Sequence, residues 1–193
     1  ILFSSVVPSV YSTIKKFIKK NFKKKSIELK QLKLNKFVKI KVNKRQVGSD
    51  RISNAIGIID QKSNFIVLDF GTATTFDVVV KNKYLGGVIA PGVNLSLKTL
   101  TTKASLIPYV DLSRISKIIG TNTVSAVKSG FYWGYSGLID NIIKLIIKQT
   151  RKPYKIILTG GLAYFFKNAI KGKVEIRKDL TINGLLKVAK NLK

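Results

Sequence analysis

The stretch "NFIVLDFGTATTFDVVVKNKYLGGVIA", residues 64–90, decides the fold that this sequence predicts. It holds three apolar runs of strand length separated by two short polar turns, which is typical of an antiparallel β-meander. The first turn is unusually polar, because an aspartate, a glycine and three threonines fall within residues 69–75. Each buried polar group left unpaired costs on the order of 1–3 kcal/mol. The turn is therefore either a solvated hairpin end or a site that binds something polar.

On both sides of the meander, helical and strand-like patterns alternate. Before it, the pattern predicts a strand over 1–7, an amphipathic helix over 9–25 with Pro8 at its start, a strand over 37–43, and a helix after Gly48 that is capped by Ser49 or Asp50. After it, the pattern predicts helices over 93–106 and from Thr121 to about 149, then a strand over 154–161, a helix over 162–170, a strand over 174–180 and a helix over 181–192. This order indicates an α/β protein in which helices pack on mixed sheets.

The composition limits the chemistry open to this 193-residue chain. It contains no cysteine and no histidine, which excludes disulfides, thiolate metal sites and imidazole bases. Acid–base chemistry must fall to one of nine carboxylates, a lysine or a tyrosine. The 45% of apolar residues suffice for a core, and no apolar run approaches the roughly 20 residues that span a bilayer.

The net charge of +27 favours anionic ligands. The lysines are spread over nearly the whole chain, which indicates a generic basic surface rather than a dedicated nucleic-acid footprint. For the lysine-rich helix over 9–25, we expect docking on the protein's own core rather than on a membrane.

Three short motifs carry residue types that suit phosphate and alcohol chemistry. In the polar turn, backbone N–H groups and threonine hydroxyls can converge on phosphate oxygens, while Asp69 suits a bridging cation. The glycines of "ILTGG", residues 157–161, permit a ligand to approach a strand end closely. In "GSDR", residues 48–51, an acid beside a base can face a hydroxyl and a carboxylate. Each motif also has an ordinary structural interpretation: a hairpin end, a strand-to-helix turn, and a capping aspartate beside a surface arginine.

Together with their neighbours, these motifs resemble the type III pantothenate kinases. The resemblance rests on "VGSDRISNAI", "VLDFGTATTFDVV", "YLGGVIAPGVNLSLKTL", "IGTNTVSAVKSG", "ILTGGLA" and "DLTINGL", which occur in the family's order. It implies two ribonuclease-H-like domains of the actin, Hsp70 and sugar kinase type, with mixed sheets flanked by helices. On this basis residues 1–62 are the remainder of the amino-terminal domain and residues 63–193 are the carboxyl-terminal domain.

The resemblance also implies an activity. The family phosphorylates pantothenate from ATP to give 4′-phosphopantothenate, the first step of coenzyme A biosynthesis, with Mg²⁺ and a monovalent cation, K⁺ or NH₄⁺. It implies a cytoplasmic homodimer that needs no membrane, and it makes a nucleic-acid partner unlikely. A nucleic-acid-associated accessory transcriptional activator of the same family is the alternative, and a fragment without activity is a third.

Carried over residue by residue, the resemblance gives each motif a role. Asp50 matches the proton acceptor for the pantothenate hydroxyl, and Asp69 matches the ligand of the monovalent cation. The residues that match substrate-binding positions are Gly48, Ser49, Asp50, Arg51 and Thr123. Those that match ATP-binding positions are Gly71, Thr72, Thr74, Gly160 and Gly161.

The sequence departs from the family pattern in three places. It begins without methionine inside a predicted strand, and the family's Asp-x-Gly-Asn-Thr phosphate loop would precede Ile1. We therefore expect a fragment whose first domain is incomplete and whose own kinase activity is low. Lys103 stands where the family has a threonine, and the family's substrate-contacting tyrosine has no clear counterpart, since no tyrosine occurs between Tyr11 and Tyr84.

Overall fold

The computed structural model of the protein describes residues 1–5 and 7–192. Within these residues the helices and strands form the mixed α/β arrangement that the sequence predicts. In chain order they are β1 (Leu2–Phe3), α1 (Pro8–Phe22), β2 (Ile27–Glu28), a 3₁₀ helix (Leu29–Gln31), β3 (Lys39–Ile40), α2 (Ser49–Ile58), β4 (Asn64–Phe70), β5 (Ala73–Val80), β6 (Lys83–Pro91), α3 (Val93–Lys103), α4 (Thr123–Thr150), β7 (Lys155–Gly160), α5 (Ala163–Phe166), β8 (Val174–Ile176) and α6 (Leu180–Ala189).

The main sheet has six strands in the order β3-β6-β5-β4-β7-β8. Its centre is the predicted meander, since β6, β5 and β4 are neighbours and are joined by short turns. The outer strands pair in parallel, β3 with β6 and β7 with β8. Residues 65–68 of β4, one of the sheet's two central strands, are buried. A separate two-stranded parallel sheet pairs β1 with β2.

By internal contacts the chain divides into two compact units. Unit 1 comprises Ile1–Phe65, Asp77–Gly86 and Asp179–Lys193, and unit 2 comprises Ile66–Phe76 and Gly87–Lys178. The units are defined by contacts alone, and the domain boundary between residues 62 and 63 stays a prediction.

Unit 1 is held together by close packing of α2 on α6. A Cβ on Gly184 would overlap the backbone carbonyl of Ser53, so the two helices approach at a distance that only glycine allows. Polar contacts lock the same interface: the Ser53 hydroxyl donates to the Thr181 carbonyl at 2.7 Å, and the Thr181 hydroxyl donates to Asn54 Oδ1 at 2.6 Å. This packing fixes α2, and with it the GSDR motif at its start.

Unit 2 is built around the long helix α4 and an aromatic core. Asn122 caps α4 by accepting the Ser125 N–H at 2.9 Å, and Ser125 completes the capping box. Phe166 of α5 stacks on Phe70 at a ring separation of 5.3 Å and lies against Tyr132 of α4. The end of β4 is therefore anchored where the polar turn begins.

Several predicted elements are confirmed and others are corrected. The predicted strand over 37–43 is only Lys39–Ile40, because residues before it form a turn in which the Phe37 and Val38 N–H groups donate to the Leu34 carbonyl. The predicted strand over 1–7 is Leu2–Phe3 in the described residues, and Val6 lies outside them. The N-cap of α2 is Gly48 rather than Ser49 or Asp50.

Some elements differ in extent, or were not predicted. The helix α5 is much shorter than the predicted 162–170, while β2 and the 3₁₀ helix had no sequence signal. None of the helices in residues 1–5 and 7–192 has both the length and the apolar character required to traverse a bilayer.

Candidate active site

The GSDR motif forms the amino-terminal end of α2 in unit 1. Gly48 is the N-cap, and because it has no side chain it accepts no hydrogen bond from the first turn through a side chain of its own. Asp50 lies in that turn, is half-buried, and accepts the backbone N–H of Arg51 on Oδ1 at 2.8 Å. A carboxylate at this end of a helix is favoured by the helix dipole. The structure therefore holds Asp50 as an oriented acceptor.

Ser49 anchors the motif rather than standing free. Its side chain is buried, with 1% exposure, and its hydroxyl donates to the Ser5 carbonyl at 3.1 Å. The same oxygen accepts from the Ser4 hydroxyl at 2.8 Å. These contacts tie the start of α2 to the segment that follows β1.

Arg51, Asp77 and Tyr84 form a buried cluster in unit 1, which we call the arginine network. The Arg51 Nε–H donates to Asp77 Oδ1 at 2.7 Å, and the Tyr84 hydroxyl donates to the same oxygen at 2.7 Å. The Arg51 Nη2 lies 2.7 Å from that oxygen as well, without the alignment of a hydrogen bond. Asp77 is fully buried, and Tyr84 is 1% exposed.

Burial shapes the electrostatics of the arginine network. Burial raises the pKa of Asp77 to about 6, although the Arg51 guanidinium and the Tyr84 hydroxyl act to lower it. The pKa of Tyr84 is also raised, by burial and by the adjacent Asp77 carboxylate. The pKa of Arg51 is raised because the attraction of Asp77 outweighs the cost of burial, so the guanidinium stays charged.

A groove of about 380 Å³ in unit 1 borders the same motif. Val47, Gly48 and Ser49 line one part of it, while Tyr11 and Glu28 line another. Its volume lies in the range of small-molecule pockets. This groove could not be predicted from the sequence, because its walls come from segments that are far apart along the chain.

The polar turn lies in unit 2 and is supported by glycine residues from other elements. We call residues 69–72, with Gly92 and Gly160, the glycine turn. The Gly161 N–H donates to the Phe70 carbonyl at 3.2 Å, which attaches the end of β7 to the end of β4. Gly71 and Thr72 are exposed at the tip.

The backbone packs so closely here that side chains are excluded. Gly160 has φ +83, and a Cβ on it would lie 2.6 Å from Asp69 Oδ1 and from the backbone of Phe70. A Cβ on Gly92 would overlap the Thr72 carbonyl. A Cβ on Gly161 would meet no atom within 4 Å. Gly160 and Gly92 are thus required by the packing, whereas Gly161 is not.

The three threonines of the motif have different environments. Thr72 is exposed, whereas Thr74 is 0% exposed. Within the described part of the chain, the buried hydroxyls of Thr74 and Thr75 have no hydrogen-bond partner. Because successive residues of β5 point to opposite faces of the sheet, these two hydroxyls do not face the same partner.

The structure thus brings the predicted residues into two groups. Unit 1 holds Gly48, Ser49, Asp50 and Arg51 together at the start of α2, and unit 2 holds Asp69, Gly71, Thr72, Gly160 and Gly161 together at the glycine turn. Thr123 is the first residue of α4 and is exposed, on a different element of unit 2. Asp77 and Tyr84 were not predicted as site residues.

The side chains that could bind a metal ion are few. Residues 1–5 and 7–192 contain no group of three or more His, Cys, Asp or Glu side chains that could hold a metal ion. At the glycine turn, the half-buried Asp69 offers one carboxylate beside exposed backbone. One carboxylate with backbone oxygens fits a cation that is also held by a substrate's phosphates, rather than an all-protein cage.

Comparison with known proteins decides the family. The family model described as type III pantothenate kinase matches residues 1–145. A protein of that name from Pelagibacter ubique is 59% identical over 192 residues, which are 100% of this chain and 77% of the relative. The chain belongs to the type III pantothenate kinase family. The predicted family is thereby confirmed.

Other members of the type III pantothenate kinase family match over different lengths. The protein from Koribacter versatilis is 40% identical over 96% of this chain and 68% of its own length. The protein from Cereibacter sphaeroides strain ATCC 17029 is 48% identical over 72% of this chain, which spans about half of that relative, 55%. These curated names do not favour the alternative of a transcriptional activator.

Solved structures confirm the fold class. A Baf family transcriptional activator from Campylobacter jejuni has a TM-score of 0.66 at 23% identity, over 99% of this chain and 82% of that one. A 2-dehydro-3-deoxygalactonokinase from Sinorhizobium meliloti has a TM-score of 0.56 at 14% identity, over 75% and 59%. At these identities the similarity concerns the fold alone. The predicted α/β fold of the sugar kinase type is confirmed.

Proposed function

We propose that the protein catalyses the ATP-dependent phosphorylation of pantothenate to 4′-phosphopantothenate. The observation that carries this proposal is the 59% identity, over the whole chain, to a protein named type III pantothenate kinase. The absence of histidine from the sequence is compatible with it, because phosphoryl transfer depends mainly on positioning and charge neutralisation.

Asp50 is the residue that receives the hydroxyl proton. A carboxylate is a weak base for an alcohol, but it can orient the hydroxyl and take the proton late in a loose transition state. The position of Asp50 at the start of α2, with Oδ1 held by a backbone N–H, supports this role. The second carboxylate oxygen then accepts from the substrate.

The remaining residues of the motif bind pantothenate. Arg51 binds the substrate carboxylate, for which the planar guanidinium is suited. Gly48 and Ser49 form the wall beside it, and the groove that these two residues line supports this placement. Thr123 contributes a further hydroxyl to pantothenate.

The glycine turn binds the phosphates of ATP. The residues assigned to ATP are Gly71, Thr72 and Thr74 for the phosphate chain and Gly160 and Gly161 for the nucleotide. The exposed tip at Gly71 and Thr72 and the close backbone packing at Gly160 support this assignment. Asp69 would hold the monovalent cation, K⁺ or NH₄⁺, and the phosphates would hold Mg²⁺. When bound, these cations supply charge that offsets the negative charge on the phosphates.

Three further properties are proposed from the family. The protein is a homodimer, it acts in the cytoplasm, and its two ribonuclease-H-like domains divide between residues 62 and 63. Size-exclusion chromatography with light scattering tests the first of these properties directly.

Replacement of the proposed proton acceptor tests the function. The Asp50→Asn variant keeps the side-chain shape and the acceptor for the Arg51 N–H but loses the base. In the gene product that contains this chain, we expect kcat to fall by about 10²–10⁴-fold, with an unchanged melting temperature. The measurement is the rate of ATP-dependent phosphopantothenate formation.

The exposed Glu175→Gln variant is the matched control, since it removes one carboxylate charge from unit 2. It should retain full turnover. Near-normal turnover of Asp50→Asn would remove Asp50 from its role, and no pantothenate-dependent ATP consumption by the unmodified protein would refute the function.

A further inference from the structure

We propose that Asp77 and Tyr84 are positioning residues that hold the Arg51 guanidinium in the orientation in which it binds the substrate carboxylate. This inference rests on the proposed function, because it assigns a task to residues that do not themselves touch pantothenate. The sequence places the substrate-binding motif at the start of α2 alone. The proposal adds Asp77 from β5 and Tyr84 from β6 to it.

The geometry of the arginine network leaves part of the guanidinium available. Asp77 Oδ1 takes the Nε–H of Arg51 in an aligned hydrogen bond, while Nη2 lies at the same distance without alignment. An arginine has N–H donors on both terminal nitrogens besides Nε. Nη2 is itself buried beside Asp77, so a guanidinium held along its Nε and Nη2 edge keeps the Nη1 donors for a second partner such as a carboxylate.

Burial of the arginine network costs folding free energy, which argues against a purely structural role. Asp77 is fully buried, and within the described residues its Oδ2 has no hydrogen-bond partner. A buried ion pair is often no more stabilising than apolar residues of the same volume. Tyr84 places its hydroxyl, 2.7 Å away, on the oxygen that also binds Arg51. The arrangement fixes the Arg51 side chain and lowers the stability of the fold, which indicates a functional role for the fixed arginine.

The hold on Arg51 depends on the charge of Asp77. The groups that act electrostatically on this carboxyl are Arg51 and Asp50 on α2 and Tyr84 on β6. With its pKa raised to about 6 by burial, Asp77 becomes neutral at mildly acidic pH. A neutral carboxyl attracts the guanidinium less, so the affinity for pantothenate should weaken below about pH 6.

Steady-state kinetics of the Asp77→Asn variant test the proposal. We expect KM for pantothenate to rise by about 10–100-fold, the loss of a hydrogen bond to a charged group. KM for ATP should stay the same, and kcat should stay within about threefold. Tyr84→Phe should raise KM for pantothenate by only about 2–10-fold, since it removes one neutral donor.

Two further measurements separate positioning from folding. In an Arg51→Ala background, Asp77→Asn should cause no additional rise in KM, because Asp77 acts through Arg51. In the unmodified protein, KM for pantothenate should rise below about pH 6, and this rise should be absent from Asp77→Asn. The Glu175→Gln variant, which breaks an exposed ion pair with Arg177, should behave like the unmodified protein.

The outcomes are distinct. An equal rise in KM for ATP and in KM for pantothenate, or additive effects of Asp77→Asn and Arg51→Ala, would overturn the positioning role. If Asp77→Asn does not fold, KM for pantothenate of Tyr84→Phe and the pH dependence of this KM in the unmodified protein test the same proposal. If the protein has no kinase activity, the proposed function is refuted, and the positioning of Arg51 is tested without activity. The measurement is then the hydrogen exchange rate of the Arg51 Nε–H signal in NMR. A slowly exchanging signal that Asp77→Asn abolishes supports the hold, and a rapidly exchanging one contradicts it.

Discussion

The arginine network and the glycine turn hold polar groups in different ways. In the arginine network, side chains from three elements share one buried carboxylate oxygen, and charge keeps them together. In the glycine turn, backbone lies against backbone, and the absence of a side chain at Gly92 and Gly160 makes the approach possible. The stability of the arginine network should therefore depend on the charge of its side chains, so a substitution that removes a charge and keeps the volume should affect it. The stability of the glycine turn should depend on side-chain volume, so a substitution that adds volume without charge should affect it.

The largest effect on stability should come from added volume at the glycine turn. Gly160→Ala places a Cβ against Asp69 and Phe70 at a positive φ. We expect a loss of about 3 kcal/mol or more in the free energy of unfolding, from backbone strain and overpacking together. Denaturant unfolding measures it.

Gly161→Ala is the matched control, since the neighbouring glycine has open space around its Cβ position. It should change the free energy of unfolding by less than about 0.5 kcal/mol. Equal effects of the two substitutions would contradict the account of the glycine turn, and so would a stable Gly160→Ala variant.

A smaller effect should come from charge in the arginine network, and it depends on pH. The pKa of Asp77 is raised from 3.8 to about 6, so the folded protein binds a proton that the unfolded chain releases between those values. The contribution of this group to stability is complete below pH 4 and is lost as pH rises through 6.

The measurement is the difference in the free energy of unfolding between the unmodified protein and Asp77→Asn, taken from pH 4 to pH 7. This difference should fall as pH rises. A difference that rises with pH would mean that Arg51 lowers the pKa of Asp77 more than burial raises it.

Much of the glycine turn could be predicted from the sequence, because its signals are local. Asp69, Gly71 and Thr72 follow one strand, and the pair Gly160 and Gly161 follows another. Polarity at one strand end and glycines at another both indicate close approach of backbone or ligand. The sequence did not show that Gly160 is constrained and Gly161 is open, since that depends on what each glycine faces.

The arginine network could not be predicted, because its contacts are distant along the chain. Arg51 and Asp77 are 26 residues apart, and no local periodicity links them. The same limit explains the N-cap of α2. Serine and aspartate are preferred caps, but the Ser49 hydroxyl is bound to Ser5 and Asp50 accepts the N–H of Arg51.

The alternating pattern of the predicted strand over 37–43 was also misleading. Val38, Ile40 and Val42 alternate as a half-buried strand does, yet the chain turns at Leu34 and pairs with β6 only at Lys39–Ile40. Contacts outside the segment override local preference for β structure. The meander and α4, whose patterns are longer, were predicted correctly.

Hydrogen–deuterium exchange with one ligand at a time tests the central claim, which assigns pantothenate to the start of α2 and ATP to the glycine turn. Measured on the gene product that contains this chain, pantothenate at about 100 times its Kd should slow amide exchange in residues 48–53 by up to about 100-fold. ADP should instead slow exchange in residues 69–75 and 160–163. Protection of 69–75 by pantothenate and of 48–53 by ADP, or of neither segment by either ligand, would contradict the account.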